Sequence, residues 1–174
     1  MKIIVVGAGK VGYSVAKILS EEGHDITVID RNPETITHLS NELDVICVEG
    51  SATNHETLLG AGAAEADLLM AATQQDEVNM VCGITARKLG TKHVIARIRD
   101  TEYLRQTEFL REVLGLSITI NPEYECAKEI ARILRFPSAA RVDTFSKGSV
   151  EIVEHRVREH GKLDGMQLKD LSSV

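Results

Sequence analysis

Residues 2–30 read KIIVVGAGKVGYSVAKILSEEGHDITVID, and this stretch decides the architecture. The β-branched run Lys2–Val6 passes directly into Gly7-Ala8-Gly9-Lys10-Val11-Gly12. Val11, Val15, Ile18 and Leu19 then recur on one helical face, and a second β-branched run, Asp25–Ile29, is closed by Asp30. Strand, glycine turn, helix and acid-terminated strand form a βαβ unit in which each glycine has its own task. Gly7 permits the tight turn, Gly9 lets a pyrophosphate approach the backbone, and Gly12 lets the helix lie close to the sheet. The helix N-terminus adds N–H donors and a partial positive charge, and Asp30 stands where a carboxylate accepts hydrogen bonds from ribose hydroxyls.

Outward from this unit, short apolar runs alternate with helical patterns to about Arg135. After Lys2–Val6 and Asp25–Ile29 the strands expected are Val45–Val48, Asp67–Ala71, His93–Arg97 and Ser117–Ile120. Nearly continuous apolar strands separated by helices predict a six-stranded parallel sheet covered on both faces, an α/β, Rossmann-like doubly wound fold with strand order 3-2-1-4-5-6. Asn32-Pro33 and Asn121-Pro122 each place a capping residue before a proline at the first helical position, and Gly23, Gly90 and Gly115 follow helical stretches as left-handed terminators. Past Phe136-Pro137 the pattern becomes two strands, Ala140–Phe145 and Val150–Val157, joined through Ser146-Lys147-Gly148-Ser149 as a hairpin. Residues 1–136 are therefore expected to form the nucleotide-binding domain. Residues 137–174 are expected to be a linker and the opening of a small C-terminal subdomain, too short to fold alone, so that the chain reads as a fragment.

In an open α/β sheet the ligand lies outside the carboxyl ends of the strands. Those ends carry Asp30-Arg31 after strand two, Gly50-Ser51-Ala52-Thr53 after strand three, Thr73, Asp76 and Asn79 after strand four, and Arg97 on strand five. Each has a structural alternative: Thr73 and Asp76 also suit a helix start, and Arg97 and Arg99 also suit a solvated or ion-paired surface. S-adenosylmethionine proteins share the glycine turn and the acid, but the helix-packing Gly12 favours a dinucleotide. Asp30 disfavours NADP, whose 2′-phosphate would face its charge, while the neighbouring Arg31 is of the type that accommodates that phosphate.

Composition narrows the function classes. Aromatic residues are 3% of the chain with no Trp, and the net charge is -6, so bases find few stacking platforms and phosphate backbones are repelled; nucleic acid is not an expected partner. The apolar N-terminus imitates a signal peptide, but Gly7, Gly9 and Lys10 interrupt it. No run of apolar residues reaches membrane-spanning length, so direct membrane insertion is not expected. Cys47, Cys82 and Cys126 have neither CxxC pairing nor His at ligand spacing, which reads as buried thiols in a reducing cytosol and no metal site.

With these segments in order, the chain resembles the RCK or KTN domain, the regulator-of-potassium-conductance module of Trk-type potassium uptake systems, in particular of their peripheral regulatory subunit. The resemblance is carried by Gly7–Gly12, Val28-Ile29-Asp30, Glu49-Gly50-Ser51-Ala52-Thr53, Ala61-Gly62-Ala63 with Ala66-Asp67, Thr73, Asp76-Glu77, Asn79, Ala86, Val94-Ile95-Ala96-Arg97 and Asn121-Pro122-Glu123. It implies NAD or NADH in the crevice, with ATP or ADP as further ligands. Asp30 would lie on the adenosine ribose, Lys10 near the phosphates where relatives often carry arginine, and Arg97 close by. It implies self-association as a dimer or larger ring through the last helix, which brings Glu123 toward the ligand phosphates across the pair. It implies a cytoplasmic protein held at the inner face of the membrane through an integral-membrane potassium-translocating subunit. Ser51 departs from the aspartate usual after Gly50. Lys162-Leu163-Asp164-Gly165 through Leu168-Lys169-Asp170-Leu171 resembles the opening of the family's C-terminal subdomain.

The competing class is an NAD-dependent oxidoreductase fragment. A dehydrogenase of this architecture needs a substrate lobe and an acid/base beside the nicotinamide, and the tail after Phe136 is too short for one. Tyr13 with Lys17 and Tyr124 with Lys128 match Tyr-x-x-x-Lys, but the first lies on the glycine-loop helix and the second follows the sixth strand. No nucleophile–base pair, metal cluster or Walker loop accompanies them, so the reading is a regulator and not an enzyme.

Overall fold

The computed structural model describes residues 1–136, 139–145, 150–161, 163–167 and 169–170. Two compact units divide the chain, Met1–Pro122 and Glu123–Val174. In the first, the strands are β1 (Lys2–Val6), β2 (Asp25–Asp30), β3 (Ile46–Glu49), β4 (Leu68–Ala71), β5 (His93–Arg97) and β6 (Ile118–Ile120). The helices are α1 (Lys10–Glu21), α2 (Pro33–Glu42), α3 (His55–Gly60), α4 (Asp76–Leu89), α5 (Thr101–Arg105) and α6 (Thr107–Leu114).

The six strands form one sheet in the order β3-β2-β1-β4-β5-β6, all parallel, with Val5 opposite Val28 on one side and Met70 on the other. The expected topology is therefore the observed one. The expected start of β3 at Val45 lies one residue early because its ladder with β2 opens at the pair Thr27 and Ile46.

Strand alternation sends successive side chains to opposite faces and so builds two cores. Ile3, Val5, Ile26 and Val28 pack with Ala16 of α1 and Leu39 of α2 on one face. Ile4, Val6, Ile29, Leu69 and Val94 pack with Leu58 of α3 and Met80, Cys82 and Ala86 of α4 on the other. Burying a side chain such as Leu39 or Leu58, neither of which retains exposed surface, stabilises the fold by roughly 1.5–3 kcal/mol. At α2 the cap follows the sequence, Asn32 accepting from the Glu34 amide at 2.9 Å, and Gly23, Gly90 and Gly115 carry φ values of 81, 125 and 66°. Between β1 and β4 the winding reverses direction, which opens a crevice above their carboxyl ends.

The second unit holds most of α7 (Pro122–Arg135) and an antiparallel pair, β7 (Ala139–Phe145) and β8 (Val150–His155), with an irregularity between Ala139 and Arg141. Arg132 donates to the Val142 carbonyl at 2.5 Å, and Arg135 lies 3.3 Å from Glu151, tying helix to hairpin. The antiparallel pairing matches the expected hairpin. Its connection Ser146–Ser149 lies outside the described residues, as do Pro137, Lys162, Leu168 and Leu171. Among the described residues no helix is long and apolar enough to cross a membrane.

Candidate functional site

The crevice begins at the glycine turn, where the three glycines separate by what surrounds them. Gly7 has φ 88° and donates its N–H to the Ile29 carbonyl at 2.8 Å; a Cβ there would sit 3.0 Å from the Thr73 backbone. At Gly12 a Cβ would come within 1.8 Å of the Gly7 carbonyl oxygen, so turn and helix can be this close only without a side chain. At Gly9 a Cβ would meet nothing within 4 Å. Two glycines are thus demanded by the protein's own packing, and the third faces open space over the crevice. Gly9 is also the N-cap of α1, and no side chain caps that end, whereas Asn32 caps α2 and Asn54 caps α3. The first turn of α1 carries no acidic residue, so its N–H groups and partial positive charge remain available to an anion. Ala8 is buried, Val11 half-buried and Lys10 exposed beside this turn.

Asp30, half-buried at the end of β2, accepts from the Ala8 amide through Oδ2 at 2.6 Å and from the Asn32 amide through Oδ1 at 2.9 Å. Its carboxylate therefore fixes the glycine turn against the β2–α2 turn, and each oxygen retains acceptor capacity. Gly50 donates to the Asp30 carbonyl at 2.9 Å, which brings the loop after β3 alongside. On that loop Ser51 Oγ accepts from the exposed Arg31 guanidinium at 2.6 Å and shares a hydrogen bond with Thr53 Oγ1 at 2.8 Å, while Ala52 is buried beneath them. Arg31, Ser51 and Thr53 thus form one polar chain beside Asp30.

Across the crevice, Thr73, Asp76, Asn79 and Arg97 come together, but through one another. Asn79 is fully buried and Asp76 nearly so. The Asn79 Oδ1 accepts from Thr73 N at 2.9 Å and Thr73 Oγ1 at 2.7 Å, and its Nδ2 donates to the carbonyls of Thr73 and Arg97 at 3.2 and 2.8 Å. Asp76 Oδ2 accepts from the amides of Arg99 and Asp100, both at 2.8 Å. The Arg99 guanidinium donates to the Gln74 carbonyl, and Arg97 Nη1 lies 3.4 Å from the Thr73 carbonyl. Sequence spacing indicated that these residues gather at the strand ends. It did not indicate that Asp76 brackets the loop after β5, since an acid at a first helical position reads alike whether it faces solvent, ligand or backbone. Glu123 lies in the first turn of α7 and belongs to the second unit.

Among the described residues no group of His, Cys, Asp and Glu is arranged to hold a metal ion. Burial pushes the Cys82 thiol up to about 12 and raises that of Cys47, so neither is poised as a thiolate.

The TrkA-N domain profile matches residues 3–122. The Trk system potassium uptake protein TrkA homolog of Archaeoglobus fulgidus is 39% identical over 171 residues, covering 98% of this chain; the chain spans 39% of that relative's length. Among solved structures, the TrkA-N domain of the inner membrane protein ybaL from Escherichia coli superposes with TM-score 0.68 at 22% identity, covering 76% of this chain and 96% of that one. The GsuK channel bound to NAD superposes with TM-score 0.60 at 24% identity, covering 82% of this chain and 24% of that one. The glycine turn, the acid closing β2 and the strand order all lie within the matched span, and the chain belongs to the TrkA-N domain family.

Proposed function

We propose that this chain is the nucleotide-sensing part of a cytoplasmic regulatory subunit. It binds NAD or NADH, with ATP and ADP as competing ligands, and gates an integral-membrane potassium transporter or channel through the geometry of paired domains. The observation that carries the reading is the open face of Gly9 at the uncapped start of α1, between two glycines that the protein's own packing requires. A pyrophosphate is the group that such a turn and helix end receive. The adenosine ribose then lies on Asp30, with Arg31, Gly50, Ser51, Ala52 and Thr53 around the adenosine. Ala8, Lys10 and Val11 flank the phosphates with the three glycines, and the second half of a dinucleotide runs toward Thr73 and Arg97 beyond the reversal point. Glu123 approaches the phosphates across a pair of domains. The nucleotide-binding domain is residues 1–136, and residues 137–174 open a further subdomain.

Two findings support the regulatory part: the relatives named as potassium uptake proteins, and a NAD-bound channel structure that shares the fold. The test is a titration of NAD, NADH, ATP and ADP into the purified chain at one ionic strength. Saturable binding of at least one dinucleotide is expected, and none by any of the four would overturn the reading. Against the oxidoreductase alternative, NADH incubated with the chain and a panel of aldehydes, ketones and keto acids should lose no absorbance through the protein. A saturable oxidation rate would restore that alternative.

A further inference from the structure

The loops after β4 and β5 face the half of the crevice that a mononucleotide would leave empty, and one buried amide joins them. Asn79 spends both donor and acceptor atoms on Thr73 and Arg97, is fully buried, and so presents no surface to a ligand. Its hydrogen bonds hold the Thr73 amide, hydroxyl and carbonyl together and fasten them to the carbonyl that ends β5. One turn earlier on α4, Asp76 fixes two amides of the loop after β5, Arg99 and Asp100. Both loops are thereby fastened to the start of α4 and to each other. Two loops that must each be ordered before a ligand touches them cost affinity, and a clamp that orders them in advance removes that cost.

We propose that Asn79, backed by Asp76, is a positioning residue that sets affinity for the second half of a dinucleotide, acting through Thr73 and Arg97 without touching the ligand. The proposal rests on the binding mode given above. Its consequence is a specificity device: the clamp favours ligands that extend past the pyrophosphate and is indifferent to those that end before it. Asp30, Ser51 and the glycine turn, which hold the adenosine half, are tied to β2, β3 and α1 and share no hydrogen bond with Asn79 among those just described.

The experiment measures AMP and NADH affinities in parallel for the chain and for Asn79→Ala. AMP reaches only the adenosine half and NADH reaches both. Loss of preorganisation at this site weakens NADH by about 10-fold, the scale of one or two net hydrogen bonds, and leaves AMP within about 2-fold. A purely structural role would weaken both ligands in proportion to the unfolded fraction. Equal weakening of AMP and NADH, or a folded variant with unchanged NADH affinity, overturns the proposal. If Asn79→Ala does not fold, Asp76→Ala decides. That variant opens only the first turn of α4 and should show the same split in smaller measure, with Asp76→Asn, which keeps a carbonyl oxygen toward the two amides, close to the parent chain. Identical AMP and NADH responses in Asp76→Ala then overturn it. Failure of the parent chain to bind either nucleotide would instead remove the binding reading itself, so the two failures are distinguishable.

Discussion

At the scale of single residues, the glycine turn divides its functions in a way that mutation separates. Gly9→Val places a side chain in space that the protein leaves open, so the chain should melt at nearly the parent temperature yet lose dinucleotide binding. Gly12→Ala drives a Cβ into the Gly7 carbonyl, which cannot be relieved by a side-chain rotation. Overpacking of this kind costs on the order of 1–3 kcal/mol or more of stability, visible in a thermal melt without any ligand. Retained dinucleotide binding in Gly9→Val would show that the ligand approaches elsewhere. Asp30 is a different case. Its carboxylate already accepts two backbone amides, yet a carboxylate has about four acceptor positions, and under the proposed binding mode the remainder would serve the ribose. Asp30→Ala should weaken adenine nucleotides by about 1.5–3 kcal/mol, the range for hydrogen bonds to a charged acceptor, in a chain that remains folded. Unchanged affinity by calorimetry would remove the ribose assignment.

Among elements, the amino ends of β1, β4 and β5 meet at Asp67. Its carboxylate accepts from Lys92 Nζ at 2.7 Å and from the Lys2 amide at 2.9 Å. The Lys92 hydrogen bond first, and the Lys2 amide second, hold this carboxyl below its ordinary 3.8. A carboxyl lowered by folding contributes stability that is present above its ordinary value and lost as pH falls through its folded value. Melting temperatures of the parent chain and Asp67→Asn should therefore differ at neutral pH and converge on acidification below about pH 4. A gap that stays constant to the acid limit would place the stabilisation in another group. The strands that meet here were legible because helices cover both faces: Val28, Ile29, Leu69 and Val94 are wholly buried and must be apolar whichever way they point. The break between α5 and α6 at Gln106 was not legible, for neither Gly nor Pro marks it and the turn is closed by a backbone bond to Tyr103. The site divides likewise. Gly7, Gly12 and Asp30 are set by backbone geometry within one βαβ unit and can be read locally. The partnership of Arg31 with Ser51, and of Asp76 with Arg99 and Asp100, joins positions 20, 23 and 24 residues apart, and only folding brings them together.

For the molecule as a whole, the proposed regulation turns on α7. The sequence admits two arrangements, a helix buried wholly against its own sheet or one that keeps an apolar face for a partner. None of its residues is buried. Ile130, Ile133 and Leu134 fall at i, i+3 and i+4 on one face, with 53, 58 and 73% of their surfaces exposed. A contiguous apolar face of this kind suits an interaction surface, and under the pairing proposed above its occupant would be a second copy of this chain. Pairing through α7 would carry Glu123 toward the nucleotide of the neighbouring copy. A ligand shifts a two-state equilibrium only by its differential affinity for the states, so NAD and NADH can regulate the pair only if they bind its arrangements unequally. Each tenfold inequality corresponds to about 1.4 kcal/mol of bias between the arrangements. Light scattering on the chain, with and without each nucleotide, should show a dimer or larger assembly. Ile130→Asp, which buries a charge in the seam, should be monomeric at the same concentration. If both proteins remain monomers at high concentration, α7 is not the interface; if both assemble alike, the interface lies on another surface. With the seam established, small-angle scattering of the nucleotide-free, NAD-bound and NADH-bound dimer should give separable profiles, and superimposable profiles would leave the nucleotide without a lever on the transporter.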